Sequence, residues 1–165
     1  MLRQAAGLLK TSPEQLAERV TALQDEVKNL KKQLTKGAAA DLSSLRTKLI
    51  EAAESINGTT VIVGEFPDAP VEQLRECMDW FRAKAGSAAI FIASRGQDKV
   101  LLLAAMTDDV VKKGLKAGDL IKTVAPAVGG RGGGKPQLAQ AGGKNPEGIG
   151  DALDQAEAWI KERLG

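Results

Sequence analysis

Two uninterrupted apolar runs, SAAIFIASR at 87–95 and KVLLLAAM at 99–106, leave this chain few folds to choose from. Both are short and strand-like, and the turn residues RGQD at 95–98 make an antiparallel hairpin the simplest connection. A strand with one wet face alternates apolar and polar residues. These runs do not alternate, so both faces must be buried and helices must cover the sheet. TTVIVGEF at 59–66 adds a strand, Pro67 and Pro70 mark its exit, and VEQLRECMDWFRAKAG at 71–86 reads as a helix, completing a β-α unit. Val71, Leu74, Met78, Phe81 and Ala85 share one face of that helix. Cys77 beside them reads as a partly buried packing residue, not a reactive thiol. Asp108 and Asp109 stand where the next helix should start, so they read as caps complementing its dipole. KAGDLIKTVAPAVGG at 116–130 looks helical from about Asp119. Residues 146–164 read as a final helix with Ile149, Leu153, Ala156 and Ile160 on one face. The expected class is α/β (α+β): a compact domain over 58–165, with a small mixed sheet covered by helices and a glycine-rich loop at 129–143.

Residues 1–57 have a different character and read as a helical arm. Ser12-Pro13-Glu14-Gln15 combines a cap residue, proline at the first helical position and a capping-box partner. Leu16, Val20, Leu23, Val27, Leu30 and Leu34 then recur at alternating spacings of four and three, a coiled-coil stripe with valine at a and leucine at d. A stripe under three heptads long is marginal alone, so it needs a partner chain or a helix of its own domain. A second stripe, Leu42, Leu45, Leu49, Ala52 and Ile56, starts out of register after Gly37. That phase break favours a bend or an antiparallel hairpin over one continuous rod. Asn57-Gly58 is expected to end the second helix.

Several functions are excluded at once. The 165-residue chain has no histidine, which removes Ser-His-Asp and Cys-His catalysis and the commonest general base near neutral pH. Cys77 is the single cysteine, so neither an internal disulfide nor a structural zinc site is expected. No apolar run approaches a membrane span, and MLRQAAGLLK lacks a small-residue cleavage site, so a cytoplasmic protein is expected. Residues 110–145 concentrate positive charge: Lys112, Lys113, Lys116, Lys122, Arg131, Lys135 and Lys144 stand against Asp119 alone. Such a segment suits a polyanionic partner; a solvated lysine-rich helix followed by a flexible loop is the alternative.

The stretch AVGGRGGGKPQLAQAGGKNP at 127–146 sharpens that expectation. Gly129, Gly134 and Lys135 have the spacing of a phosphate-binding loop, but Pro136 occupies the position where a Ser or Thr hydroxyl would hold magnesium. A helix precedes the loop where a strand should, so a nucleotide hydrolase is rejected. What survives is a candidate cradle for a phosphate backbone. Gly132, Gly133 and Gly134 allow close backbone approach, Arg131, Lys135 and Lys144 supply charge, and a second glycine pair, Gly142 and Gly143, follows.

VGGRGGGKPQLAQAGGKNPEGIGDAL, together with KAGDLIKTVAPAVGG and INGTTVIVGEF, resembles the C-terminal region of bacterial alanyl-tRNA synthetases. The glycine string is also similar to the substrate-binding domain that follows the Asp-His-His domain of phosphoesterases. Those typically carry histidine where Lys135 stands, and without any histidine a phosphoesterase role is rejected. The resemblance implies a non-catalytic module that binds the outer corner of transfer RNA, with a helical part that supports oligomerisation as a dimer. It further implies that aminoacylation and editing, with their ATP, magnesium and zinc, belong to upstream domains, so that no cofactor is expected in this chain. On that reading Arg131, Lys135 and Lys144, supported by Lys112, Lys113, Lys116 and Lys122, contact phosphates. Gln137 and Gln140 hydrogen-bond base edges or ribose, and Leu16 to Leu34 form the oligomer seam. Three Phe, two Trp and no Tyr argue against a stacking platform for single-stranded RNA, so recognition by shape and backbone is expected. A purely structural dimerisation module and a free-standing nucleic-acid-binding homologue are the alternatives.

Overall fold

The computed structural model describes residues 12–165, apart from the side chains of Pro13 and residues 29–41. The chain divides into two compact units, Met1–Ala38 and Ala39–Gly165. The division falls earlier than the 57/58 boundary read from the sequence, because Leu42, Leu45, Leu49 and Ile50 pack into the core of the second unit.

Extended Ser12 leads into a 3-10 turn, Pro13–Gln15, and then into helix α1, Leu16–Glu51, whose last residues belong to the second unit. Ser12 makes no side-chain cap hydrogen bond, so proline at the helix start is the part of the expected signal that operates. Leu16 and Leu23 are half-buried, whereas Val20 is 39% and Val27 49% exposed. The side chains of Leu30 and Leu34 lie outside the described residues. Helical backbone continues through Gly37, so the hairpin alternative does not hold there. Glycine costs about 1 kcal/mol relative to alanine, and Ala38-Ala39-Ala40 supplies the best helix formers directly after it.

The second unit is a sheet between two helical layers. Six strands, β1 (Glu54–Ile56), β2 (Thr59–Pro67), β3 (Ala88–Arg95), β4 (Val100–Met106), β5 (Arg131–Gly134) and β6 (Leu138–Gly143), lie in the order β1-β2-β3-β4-β6-β5. β2 and β3 are parallel, joined by helix α2 (Val71–Ala85); every other pair is antiparallel. The expected β3–β4 hairpin is present, with Ala89 opposite Met106 and Arg95 opposite Val100. Its continuous apolarity has the predicted cause. Phe91, Leu102, Ala104 and Met106 face one core, formed with helices α3 (Asp108–Lys112), α4 (Ala117–Val124) and α5 (Ile149–Leu164). Ile90, Ile92, Leu103 and Ala105 face another, formed with α2 and the end of α1.

Two sequence expectations change. Asn57-Gly58 does not end a helix. The helix stops at Glu51, Ile56 belongs to β1, and Asn57 (φ 48°) and Gly58 (φ 77°) form a two-residue turn between paired Ile56 and Thr59. Positive φ at both positions is the geometry of a type I′ hairpin, for which Asn-Gly is the preferred pair. The glycine-rich segment is likewise a hairpin instead of an irregular loop: β5 and β6 pair from Arg131 opposite Gly142 to Gly134 opposite Ala139. Without Cβ atoms the first strand carries no alternation to read. Asp108 and Asp109 do open α3, though Asp109 is held by the Ser87 hydroxyl and no side chain caps the helix.

Candidate nucleic-acid interface

β6 lies between β4 and the edge strand β5, and its side chains sort the candidate residues by face. Ala139 and Ala141 point into the core beneath α4 and α5. Leu138, Gln140 and Gly142 alternate with them, face the opposite side and are exposed. Helix α2 lies on that side, and its Arg75 donates Nη2 to Gln140 Oε1 at 2.8 Å. That bond engages the acceptor end of the amide, leaving Gln140 Nε2 as a donor toward any ligand on this shelf.

The glycines divide into two kinds. A Cβ on Gly132 would lie 2.2 Å from the Gln140 carbonyl oxygen, and one on Gly134 2.5 Å from that of Leu138. One on Gly143 would meet the Val128 oxygen at 2.4 Å. These three are required by protein packing. At Gly142 nothing lies within 4 Å of the added carbon, and at Gly133 only Lys122 Cε approaches, at 4.0 Å. Gly133 and Gly142 are therefore the positions at which an outside group can reach the backbone.

The cations gather at both ends of the hairpin. Arg131 opens β5 and Lys144 follows β6, at the end where the carboxyl termini of β2 and β3 also lie. Lys135 occupies the connecting turn at the opposite end, closed by Lys135 N donating to Leu138 O at 2.9 Å. Lys116 precedes α4 beside that turn, since Ala117 N donates to Pro136 O at 2.8 Å. Lys122 lies between, next to Gly133. At about 3.3 Å per strand residue, Arg131 and Lys135 stand about 13 Å apart. Among the described residues none of these five forms an ion pair.

Other expected residues are placed elsewhere. Lys113 donates Nζ to Thr59 Oγ1 at 2.9 Å and to Asn57 O at 3.3 Å, tying α3 to the β1–β2 turn. That is four strand steps from β5, about 19 Å at ~4.8 Å per step. Lys112 ends α3 one residue earlier and is exposed. Gln137 accepts the Met106 N–H on its backbone oxygen at 3.0 Å, which fixes the turn against β4. Cys77 is buried, and burial pushes its thiol pKa up, the neighbouring Arg46 opposing less strongly, consistent with packing.

A cleft of about 840 Å³ opens at the Arg131 end. Pro70, Val71 and Leu101 line it with apolar groups, Gly129-Gly130 and Gly142-Gly143 with backbone, and Lys99, Arg131 and Lys144 with positive charge beside the carboxylates of Asp68 and Asp98. Sequence reading missed Arg75, Val71 and Lys99. A usable signal existed, because ligands of parallel sheets bind beyond the carboxyl ends of the strands, where the β2–α2 loop lies.

The DHHA1 domain family matches residues 58–162. Among curated proteins, the alanine–tRNA ligase of Geobacillus kaustophilus is 43% identical over 98% of this chain, and that of Burkholderia lata 40% identical over 99%. In each case the chain spans 18% of the relative's length. Among solved structures, the C-Ala domain of Aquifex aeolicus alanyl-tRNA synthetase is 32% identical with a TM-score of 0.57. That alignment covers 68% of this chain and 96% of the domain.

Proposed function

The chain belongs to the DHHA1 domain family, in the branch formed by the C-terminal region of alanine–tRNA ligases, and from that premise we propose that it binds transfer RNA at the outer corner, where the D and T loops meet. The observation that carries the reading is the cation strip along the β5–β6 hairpin, Arg131, Lys122, Lys135 and Lys116, none of them in an ion pair among the described residues, beside a shelf open at Gly133 and Gly142. A strip of about 13 Å is long enough to engage more than one phosphate of a single strand. Backbone contact of this kind positions a folded nucleic acid without reading its bases. Gln140, whose amide oxygen Arg75 engages, adds a hydrogen bond from its amide nitrogen to a base edge or ribose. In the parent ligase such a module assists aminoacylation and editing performed by other domains, which supply the ATP, magnesium and zinc chemistry. No helix among the described residues is long and apolar enough to cross a membrane, and we place the protein in the cytoplasm.

The test is binding of the chain to alanine transfer RNA and to an RNA duplex of equal length across a salt series. Tighter binding to the folded RNA, with footprinting protection on the D and T loops, supports the corner reading. Equal affinity leaves generic charge attraction only. A second reading rests on the exposed Val20 and Val27 in line with Leu16 and Leu23. We propose that this stripe joins two copies of the chain. Light scattering that finds a monomer at tens of micromolar would remove it.

A further inference from the structure

The cleft at the Arg131 end has a chemistry distinct from the cation strip, and we propose that it accepts one unpaired nucleotide of the bound RNA, base inward and flanking phosphates on Arg131 and Lys144. The proposal rests on the RNA-binding reading above and deepens it.

Shape comes first. A cleft of about 840 Å³ lies within the ~300–1,000 Å³ range of small-ligand sites, and it admits a nucleotide but not a duplex. Its floor is peptide backbone. With nothing within 4 Å of a Cβ built on Gly142, a planar ring can lie flat where a side chain would otherwise stand. Val71 at the start of α2 and Leu101 near the start of β4 supply apolar surface, so a base laid against them leaves water.

Charge then selects the class of ligand. Arg131 and Lys144 are adjacent strand ends on the rim, and among the described residues neither is in an ion pair, so both remain free for phosphate oxygens. The third rim cation is partly committed, since Lys99 Nζ stands 3.8 Å from Asp68 Oδ1. Asp98, in the β3–β4 turn, also lines the cleft and has no ion-pair partner among the described residues. A carboxylate there repels a phosphate but accepts from base N–H groups. Guanine offers it N1–H and N2–H side by side, whereas uracil offers a single donor. The arrangement therefore favours a base over a bare anion, and guanine among the bases. No aromatic side chain lines the site, so discrimination comes from the walls, the floor and Asp98 and not from stacking.

RNA recognition through splayed, unpaired bases is the usual route to specificity, because the grooves of a duplex hide the base edges. A folded RNA corner with loops supplies such bases and a plain duplex does not. This separates the cleft from the strip: the strip serves either RNA, the cleft only one.

The experiment uses the full chain with Gly142→Val, which fills the cleft from an open strand position, and Val71→Phe, which fills it from the opposite wall. Unchanged thermal melts confirm that each variant folds. Affinity for transfer RNA is expected to fall roughly tenfold in either variant, with affinity for the duplex unchanged in Val71→Phe. Guanosine monophosphate added to labelled wild-type chain should shift the amide signals of Leu101, Gly142 and Lys144 more than uridine monophosphate or inorganic phosphate does. Those shifts should vanish in Gly142→Val. Transfer RNA binding that is intact in both variants overturns the proposal and leaves the strip reading standing. If guanosine monophosphate still shifts the wild-type signals in that case, the site belongs to a free nucleotide, which equally overturns it. A chain that never prefers transfer RNA over the duplex defeats the corner reading, and then the cleft has no RNA occupant.

Discussion

The β3–β4 hairpin at the centre of the sheet and the β5–β6 hairpin at its edge have the same topology and opposite means of specification. The central pair is fixed by side chains: Ala89 to Ala93 and Leu102 to Met106 are buried on both faces, and the register follows from what each helical layer accepts. In the edge pair β5 is fixed by the lack of side chains. Gly132 and Gly134 leave room for close cross-strand contact, and the paired Ala139 and Ala141 alone reach the core. A side-chain-poor strand leaves its outer face flat, and that flat face is where a ligand can approach. Packing density and access are thus divided between two hairpins of one sheet.

The largest break in this comparison comes from the centre. Phe91→Ala removes a fully buried ring that β3, the strand between β2 and β4, presents to the core under α3, α4 and α5, and the expected cost is about 3–5 kcal/mol in a denaturant melt. A loss under 1 kcal/mol would mean that the two hairpins are not specified differently.

Glycines inside the edge hairpin should respond with opposite signs. Gly132→Ala forces a Cβ toward the Gln140 oxygen and is expected to cost about 1–3 kcal/mol. Gly133→Ala meets only the flexible Lys122 side chain at 4.0 Å and lacks a positive φ, so it should stabilise by about 0.4–1 kcal/mol through the unfolded chain. Equal effects at the two positions would erase the division into packing and access glycines.

These residues also show what could be read in advance. The central strands, α2, α5 and the two-sided burial were legible because apolar periodicity reports packing directly. β5 was not, since RGGG has no alternation, and its partner LAQAGG looks like turn chemistry until the register is known. Asn57-Gly58 signals a break in the sequence but not the hairpin it closes, because β1 is only three residues long and its sequence, ESI, carries no strand signal. Charge was legible as composition and not as position. Lys113 lies in the same basic segment as Lys116, yet the chain turns at Gly114 (φ 100°), and the Lys113 side chain is spent on Thr59 and Asn57. The cleft was invisible in sequence because the residues that line it come from five separate stretches of the chain.

That positional difference supplies a test on binding. Lys135→Ala removes an unpaired cation at the hairpin tip. Transfer RNA affinity should fall, and the slope of log affinity against log salt should flatten by about 0.7–0.9 for the lost phosphate contact. Lys113→Ala should leave the slope unchanged and instead loosen the β1–β2 turn, read as a lower melting temperature. A flattened slope from Lys113→Ala, or none from Lys135→Ala, would return the basic segment to an undifferentiated patch.

The smallest effect concerns how the lower ends of the central strands are closed. Ser87, just before β3, donates its hydroxyl to Asp109 Oδ2 at the start of α3, just after β4. Together with the Thr107 hydroxyl and local backbone N–H groups, Ser87 first, this holds the Asp109 carboxyl below its usual range, against a weaker opposing effect of burial. A carboxyl whose folded pKa is depressed contributes stability above its unfolded pKa, about 3.9, and loses it as pH falls through the lower folded value. Asp109→Asn should therefore narrow the gap to wild type as pH drops from 5 toward 2, and leave that gap constant between pH 5 and 8. The site is exposed, so screening keeps the gap small, and higher salt should shrink it. A gap that widens on acidification would mean that the Ser87 bond favours the protonated acid, and that the central hairpin is closed by packing alone.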